Sequence, residues 1–222
     1  MPSVDALPHT FTFDPDKTAL LVIDMQRDFL LPGGFGESLG NDFAQLSRTI
    51  EPLSALLTAW RAASLPIIHT REGHLPDLSD CPPSKLARGG IGEQGAFGRI
   101  LVRGEYGHDI VDELAPLDGE FVVDKPGKGA FYATELSDIL DKLQVQKLVV
   151  TGVTTEVCVH TTVREANDRG YDCLVLSDCV GSYFPEFQRV GLEMIAAQGG
   201  IFGWVADSPS VIAALAASQE QK

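Results

Sequence analysis

Three side chains in this sequence are of the types that nucleophilic chemistry needs, and each stands where an apolar run gives out. Asp24 closes ALLVID and is followed by MQRDF; Lys125 follows FVVD and precedes PGKG; Cys158 follows LVVTGVTTEV. A thiol, a carboxylate and an ammonium brought together can form a thiolate, move its proton and stabilise the charge left behind. Each also has a plainer reading. Asp24 could cap a strand end or hold an ion pair, Lys125 could be a solvated turn lysine beside Pro126 and Gly127, and Cys158 could be a small buried hydrophobe.

Cys158 is the most informative of the three, because Gly152, Val153, Thr154 and Thr155 read as an elbow between a strand and a helix. A thiol there lies near a helix amino terminus. The helix dipole and a neighbouring ammonium such as Lys125 are then expected to draw its pKa below the ordinary ~8.5. Unpaired backbone N–H groups at the same turn could hold an oxyanion, at about 3–4 kcal/mol per well-placed donor. Cys173, inside DCLVLSD, and Cys179, just past that run, read as structural; with Cys81 and Cys158 they form no C-x-x-C set and read as thiols rather than a disulfide framework.

The elements that must position these residues alternate between short Val/Ile/Leu runs and longer helix-period segments, the pattern of a mostly parallel sheet covered on both faces. Six strands are expected, at Thr18 to Asp24, Leu65 to Thr70, Phe121 to Lys125, Lys147 to Gly152, Asp172 to Ser177 and Gly200 to Val205. Helices are expected at Asp42 to Ala63, Ala133 to Leu143, Thr155 to Arg169, Pro185 to Gln198 and Ser208 to Ala217. In such a fold ligands bind outside the carboxyl ends of the strands, where Asp24, Lys125 and Cys158 fall. The stretch from Glu72 to Gly119, rich in Gly, Pro and charge, breaks the rhythm and reads as an ordered active-site or subunit-contact excursion. The whole chain, 1–222, reads as one domain with an amino-terminal extension over 1–16.

Composition excludes several classes. The net charge of −14, with scattered Lys and Arg, repels phosphate backbones and argues against a nucleic-acid partner. No apolar run reaches the ~18 residues of a membrane span, and the amino terminus lacks a basic start and apolar middle, so a cytoplasmic protein is expected. Glu72-Gly73-His74, His108 and His160 form no dense ligand cluster with metal spacing, and the glycines fit no phosphate-cradling loop, so neither metal nor cofactor is expected. The G-x-S-x-G elbow of serine hydrolases is missing.

VIDMQRDF, DKPGKGAFYAT and GVTTEVCVHTTVREANDRGY together resemble, in order, the motifs of the isochorismatase-like cysteine hydrolases, a superfamily that includes nicotinamidases, carbamoylsarcosine amidohydrolase and ureidoacrylate hydrolases. The resemblance spans about Thr18 to Val205. It implies a three-layer α/β/α Rossmann-like fold, with Asp24 as acid/base, Lys125 as the third member of a catalytic triad and Cys158 as nucleophile. It also implies a cis peptide between Val153 and Thr154 and an oxyanion hole from the Thr154 and Cys158 N–H groups. Within the superfamily, HTREGHLPDLSD, GRILVRGEYGHDIV, REANDRGYDCLVLSDC and MIAAQGGIFG are most similar to biuret hydrolase and its triuret-cleaving relatives, whereas LLPGGFGESLGN departs from them. That similarity implies a small neutral ureide as substrate, a substrate contact from Gln198, and a homo-oligomer, a tetramer.

A small polar ureide would be held by few groups. Gln198, Lys128 and Arg71 are the expected hydrogen-bonding residues, with Phe29 and Phe35 as apolar walls. Two other functions compete. Vinyl-ether cleavage by an isochorismatase uses the same fold but lacks a cysteine nucleophile, and a thiol redox sensor would have no need of Asp24 and Lys125.

Overall fold

The computed structural model describes residues 1–219; the last three residues of the expected domain, 220–222, lie outside the described residues. Six strands form one sheet: β1 (Thr18–Ile23), β2 (Ile67–Glu72), β3 (Phe121–Lys125), β4 (Lys147–Val153), β5 (Asp172–Gly181) and β6 (Trp204–Ala206). Their spatial order is β6-β5-β4-β1-β2-β3 and every adjacent pair is parallel, in keeping with the expected parallel sheet. The order reverses direction at β1 and β4, the place where open α/β sheets leave a crevice at their carboxyl edge.

Burial on both faces explains the composition of the strands. All six residues of β1, TALLVI, are buried. Leu20 and Val22 enter one core with Leu174, Leu176 and Trp60, while Ala19, Leu21 and Ile23 enter a second core with Leu148, Val150 and Val175. Helices α1 (Ile50–Ala62) and α5 (Ser208–Gln219) cover the first face; α2 (Leu136–Lys142), α3 (His160–Asp168) and α4 (Pro185–Gly200) cover the second. Truncating a core leucine such as Leu20 to Ala would cost about 2–5 kcal/mol.

The strand expected from Gly200 begins only at Trp204, and three helices depart from their sequence reading for local reasons. The long helix expected from Asp42 begins only at Ile50, after a separate turn at Ala44–Ser47. Pro52 lacks an N–H and its ring would strike the carbonyl four residues back, so it fits only a first turn. The helix expected from Thr155 opens with a wide π-type turn over Thr155–Val159 before becoming regular. In α4 the backbone leaves helical geometry at Ala197, Gln198 and Gly199, the last two with positive φ.

The amino-terminal segment pairs Ser3–Val4 with Phe11–Thr12, and Leu7 exchanges backbone hydrogen bonds with Val205 on β6 (2.8 and 2.9 Å). It thereby covers the open edge of the sheet. The excursion after β2 folds into a short helical turn at Pro83–Leu86, a hairpin of Gln94–Gly95 with Gly98–Arg99, and a tight turn at Asp112–Leu114. Gln26 pins its start, donating to the carbonyls of Glu72 (2.9 Å) and His108 (2.8 Å) and accepting from the Glu72 N–H (2.7 Å). No helix among the described residues is long and apolar enough to cross a membrane.

Candidate active site

The carboxyl ends of β1, β2, β3 and β4 deliver Asp24, Glu72, Lys125 and the Cys158 turn to one place. Asp24 sits just past β1 with φ 52°, a left-handed conformation that Asp tolerates better than most residues. Its Oδ1 accepts the Thr70 hydroxyl (2.6 Å), and its Oδ2 lies 2.7 Å from Lys125 Nζ. The same ammonium donates to the carbonyls of Gly127 (3.0 Å) and Lys128 (2.9 Å). Both side chains are fully buried. Although burial disfavours its charge, the ammonium keeps a raised pKa because Asp24, Cys158 and Glu72 surround it.

Gly152 at the end of β4 lets the thiol turn come close to β1. Its φ is +103°, and a Cβ there would run into the Ile23 carbonyl oxygen. The Val153–Thr154 peptide is cis. Beyond it, the Thr154 carbonyl accepts the N–H groups of Val157 (3.1 Å) and Val159 (3.2 Å), a pair that brackets Cys158. Cys158 itself is only 4% exposed. Asp24, Glu72 and Cys158 present donor atoms within 4.8 Å of one another.

The electrostatics of this thiol correct the reading from sequence. Burial pushes its pKa well up, and Asp24 and Glu72 add to the rise, outweighing the opposing pull of Lys125 and Lys128. The expected fall weighed the helix start and one ammonium but not two buried carboxylates.

Glu72 completes the cluster. Its Oε1 accepts from Lys85 (2.9 Å) and Lys128 (2.7 Å), while Cys158 Sγ donates to its Oε2 at 3.6 Å. Burial pushes the Glu72 carboxyl up, but the ammoniums of Lys125, Lys128 and Lys85 hold it at about 2. Lys85 also donates to the Pro126 carbonyl (2.8 Å), so the excursion supplies a charged side chain to the site. Sequence reasoning considered Glu72 only as a metal ligand and missed Lys85 and Thr70. A carboxylate two residues past the expected end of β2 was the available signal for Glu72; the PSKL segment offered none for Lys85.

The expected substrate-binding residues divide. Lys128 enters the cluster through Glu72. Arg71 does not: it lies on the opposite face of β2 from Thr70 and Glu72, with its guanidinium bound to Asp124 (2.7 Å) and Asp109 (3.0 Å). Gln198 is exposed, near the far end of α4 and so beside the amino edge of the sheet. It lies ten residues past Gln188, which hydrogen-bonds Thr155 at the site, and at ~1.5 Å per residue that places it about 15 Å further along. Within one chain it does not join the cluster. Phe29 is half-buried against the first core, its carbonyl accepting the Tyr183 hydroxyl (3.1 Å). Phe35 lines a separate cavity of about 500 Å³ with Asp28, Arg88, Gly90 and Gln94.

The histidines weighed as metal ligands are engaged elsewhere: His160 with the Gly191 carbonyl (2.7 Å), His74 with Asp80 (3.2 Å), and His108 facing Asp124 at 3.6 Å. Asp24, Glu72 and Cys158 are close enough to share an ion, but three ammoniums already meet their charge, and we do not read them as metal ligands.

A cysteine hydrolase from Pseudomonas syringae pv. phaseolicola 1448A is 28% identical with a TM-score of 0.83, over 98% of this chain and 99% of that one. An isochorismatase family protein from Desulfovibrio vulgaris subsp. vulgaris str. Hildenborough is 28% identical with a TM-score of 0.74, over 90% and 98%. An N-carbamoylsarcosine amidase from Thermoplasma acidophilum shares the fold at 23% identity and a TM-score of 0.68, over 86% and 96%. The family model described as the Isochorismatase domain matches residues 18–209, and with the parallel sheet and the strand-end cluster this places the chain in the isochorismatase family.

Proposed function

We propose that this protein is a metal-independent cysteine amidohydrolase of small linear ureides, with biuret, cleaved to allophanate and ammonia, as the favoured substrate. The carrying observation is the convergence of Cys158, Asp24 and Lys125 in one buried cluster. Asp24 Oδ1 accepts the Thr70 hydroxyl and Oδ2 is paired with the Lys125 ammonium, so the carboxylate is held in place beside the thiol.

Cys158 Sγ attacks the substrate carbonyl as its proton passes to the Asp24 carboxylate, forming the carbon–sulfur bond. Lys125 stabilises the charge during the transfer, and the Thr154 and Cys158 N–H groups receive the oxyanion. Collapse breaks the carbon–nitrogen bond, and Asp24 returns the proton to the leaving ammonia. Asp24 then takes a proton from water as it attacks the acyl-enzyme, and Cys158 recovers its proton as allophanate departs.

Lys128, partly exposed, is the direct substrate contact that the cluster favours. In a single chain Gln198 is too remote, so its contribution to binding would have to come from a second copy in a homo-oligomer, for which we favour a tetramer. One observation supports a second substrate reading. Two carboxylates face three ammoniums, and the surplus positive charge suits a ureide carrying a carboxylate, such as an N-carbamoyl amino acid or ureidoacrylate. Ammonia release from biuret, triuret, ureidoacrylate, carbamoylsarcosine and nicotinamide separates the readings. The highest kcat/KM is expected for biuret, and a preference for a carboxylated ureide would replace it with the second reading.

A further inference from the structure

The Cys158 sulfur lies between two carboxylates, and the reaction above uses only one of them. Glu72 is as inaccessible as Asp24. Its two oxygens differ in their surroundings: Oε1 is held by Lys85 and Lys128, while Oε2 receives the thiol. The backbone fixes it as well, through the Glu72 N–H bonded to Gln26 Oε1 at 2.7 Å. With its pKa held near 2, this carboxylate stays an anion with too little proton affinity to serve as the base. A fixed anion beside the sulfur also opposes a second anion there.

We infer that Glu72 is a positioning residue for the nucleophile: through Oε2 it orients the Cys158 thiol and its fixed charge opposes a second anion at the sulfur, leaving Asp24 to take the proton. The inference rests on the reading of Cys158 as nucleophile. The charged and titratable groups around the sulfur and its Glu72 partner come from every element there: Asp24 after β1, Glu72 on β2, Lys125 on β3, Lys128 in the next turn and Tyr183 ahead of α4, with Lys85 from the Pro83–Leu86 turn on Glu72. Asp24 and Glu72 oppose a thiolate, whereas Lys125 and Lys128 favour it. Removing the Glu72 charge deletes one opponent and releases two ammoniums from their partner. Removing the Lys85 charge does the reverse, since it leaves Glu72 less neutralised.

The two substitutions therefore have opposite signs, which loosening of the structure cannot imitate. The test is the pH dependence of Cys158 alkylation by iodoacetamide, itself a small amide, in the full chain, with the labelled peptide located by mass spectrometry. A hundredfold gain in thiolate loses part of its effect, because intrinsic nucleophilicity falls about threefold for each tenfold gain. Glu72→Gln is thus expected to alkylate roughly tenfold faster at neutral pH, with its profile displaced to lower pH. Lys85→Met is expected to alkylate more slowly than wild type, and Glu72→Asp to restore the wild-type profile in part. The inference is overturned if Glu72→Gln superposes on wild type, if Lys85→Met accelerates labelling as well, or if Cys81, Cys173 and Cys179 become labelled alongside Cys158. Alkylation requires no turnover, so opposite shifts in a protein that releases no ammonia from any ureide would support this role while removing the proposed reaction.

Discussion

Thr70 and Glu72 on one face of β2 serve the thiol, whereas His69 and Arg71 on the other face are tied into the scaffold. On the first face the Thr70 hydroxyl fixes Asp24, and Glu72 receives Cys158. On the second, His69 Nε2 meets Glu120 (2.8 Å), which also pairs with Arg61 (2.7 Å), and Arg71 binds Asp124 and Asp109. The run HTRE is polar throughout, so composition does not separate the two roles. The two-residue period of the strand does, because even-numbered positions share the face on which Cys158 and Val159 lie and odd-numbered positions turn to the α1 side.

The comparison is broken most sharply by substituting each face and reading both activity and stability. Asp24→Asn, isosteric and tolerant of a left-handed backbone, is expected to lower kcat by roughly three to four orders of magnitude, and also to lower the melting temperature because it takes from the buried Lys125 ammonium its nearest partner. Arg71→Met is expected to leave kcat unchanged and to cost about 1 kcal/mol in denaturant unfolding, since its partners are partly exposed and the pair is screened. A large loss of kcat in Arg71→Met would erase the distinction between the faces.

Acid sensitivity gives a smaller effect of the same origin. Glu72 and Glu120 each hold a pKa of about 2 against an ordinary 4.5. For Glu120 burial opposes the fall, and the Arg61 guanidinium, the Leu117 N–H and His69 produce it. Folded carboxyls depressed in this way bind fewer protons than in the unfolded chain. Their stabilisation is present above pH 4.5 and is lost as the pH falls toward 2. Glu120→Gln is expected to start less stable at pH 6 and to lose less between pH 5 and pH 3, with the pH profile of kcat unmoved. Glu72→Gln should flatten the same stability curve and also move the kcat profile.

The smallest expected effect lies outside both faces. Gln198 occupies φ 54° and is exposed, a conformation that glycine adopts without the clash of a Cβ. Gln198→Gly is expected to raise stability by up to about 1 kcal/mol in thermal unfolding of the dilute protein. A loss of stability would indicate that the glutamine side chain carries a contact the single chain does not display.

Much of this architecture was legible in the sequence because it follows from local pattern. Buried strands read as continuous Val/Ile/Leu runs, and parallel strands place their polar punctuation at one edge, so Asp24, Lys125 and the Cys158 turn announced themselves. What stayed hidden depends on long-range placement. Lys85 comes from a segment without periodicity, and only the folding of the excursion over β2 brings it to Glu72. The Arg71 expectation failed on strand parity, and the direction of α4, which runs away from the site, separates Gln198 from the cluster of its own chain. The thiol expectation failed because a helix end and one lysine are visible in sequence, while a second buried carboxylate at 3.6 Å is not.

The central claim is that Cys158 becomes covalently acylated during amide cleavage. Acid-quenched wild-type protein mixed with biuret, digested and mapped by mass spectrometry, tests it most directly, with ammonia release followed in parallel for Cys158→Ser. The account predicts an allophanyl group on the peptide carrying Cys158 and loss of ammonia release by at least about three orders of magnitude in the variant. A Cys158→Ser protein that released ammonia at the wild-type rate would contradict it.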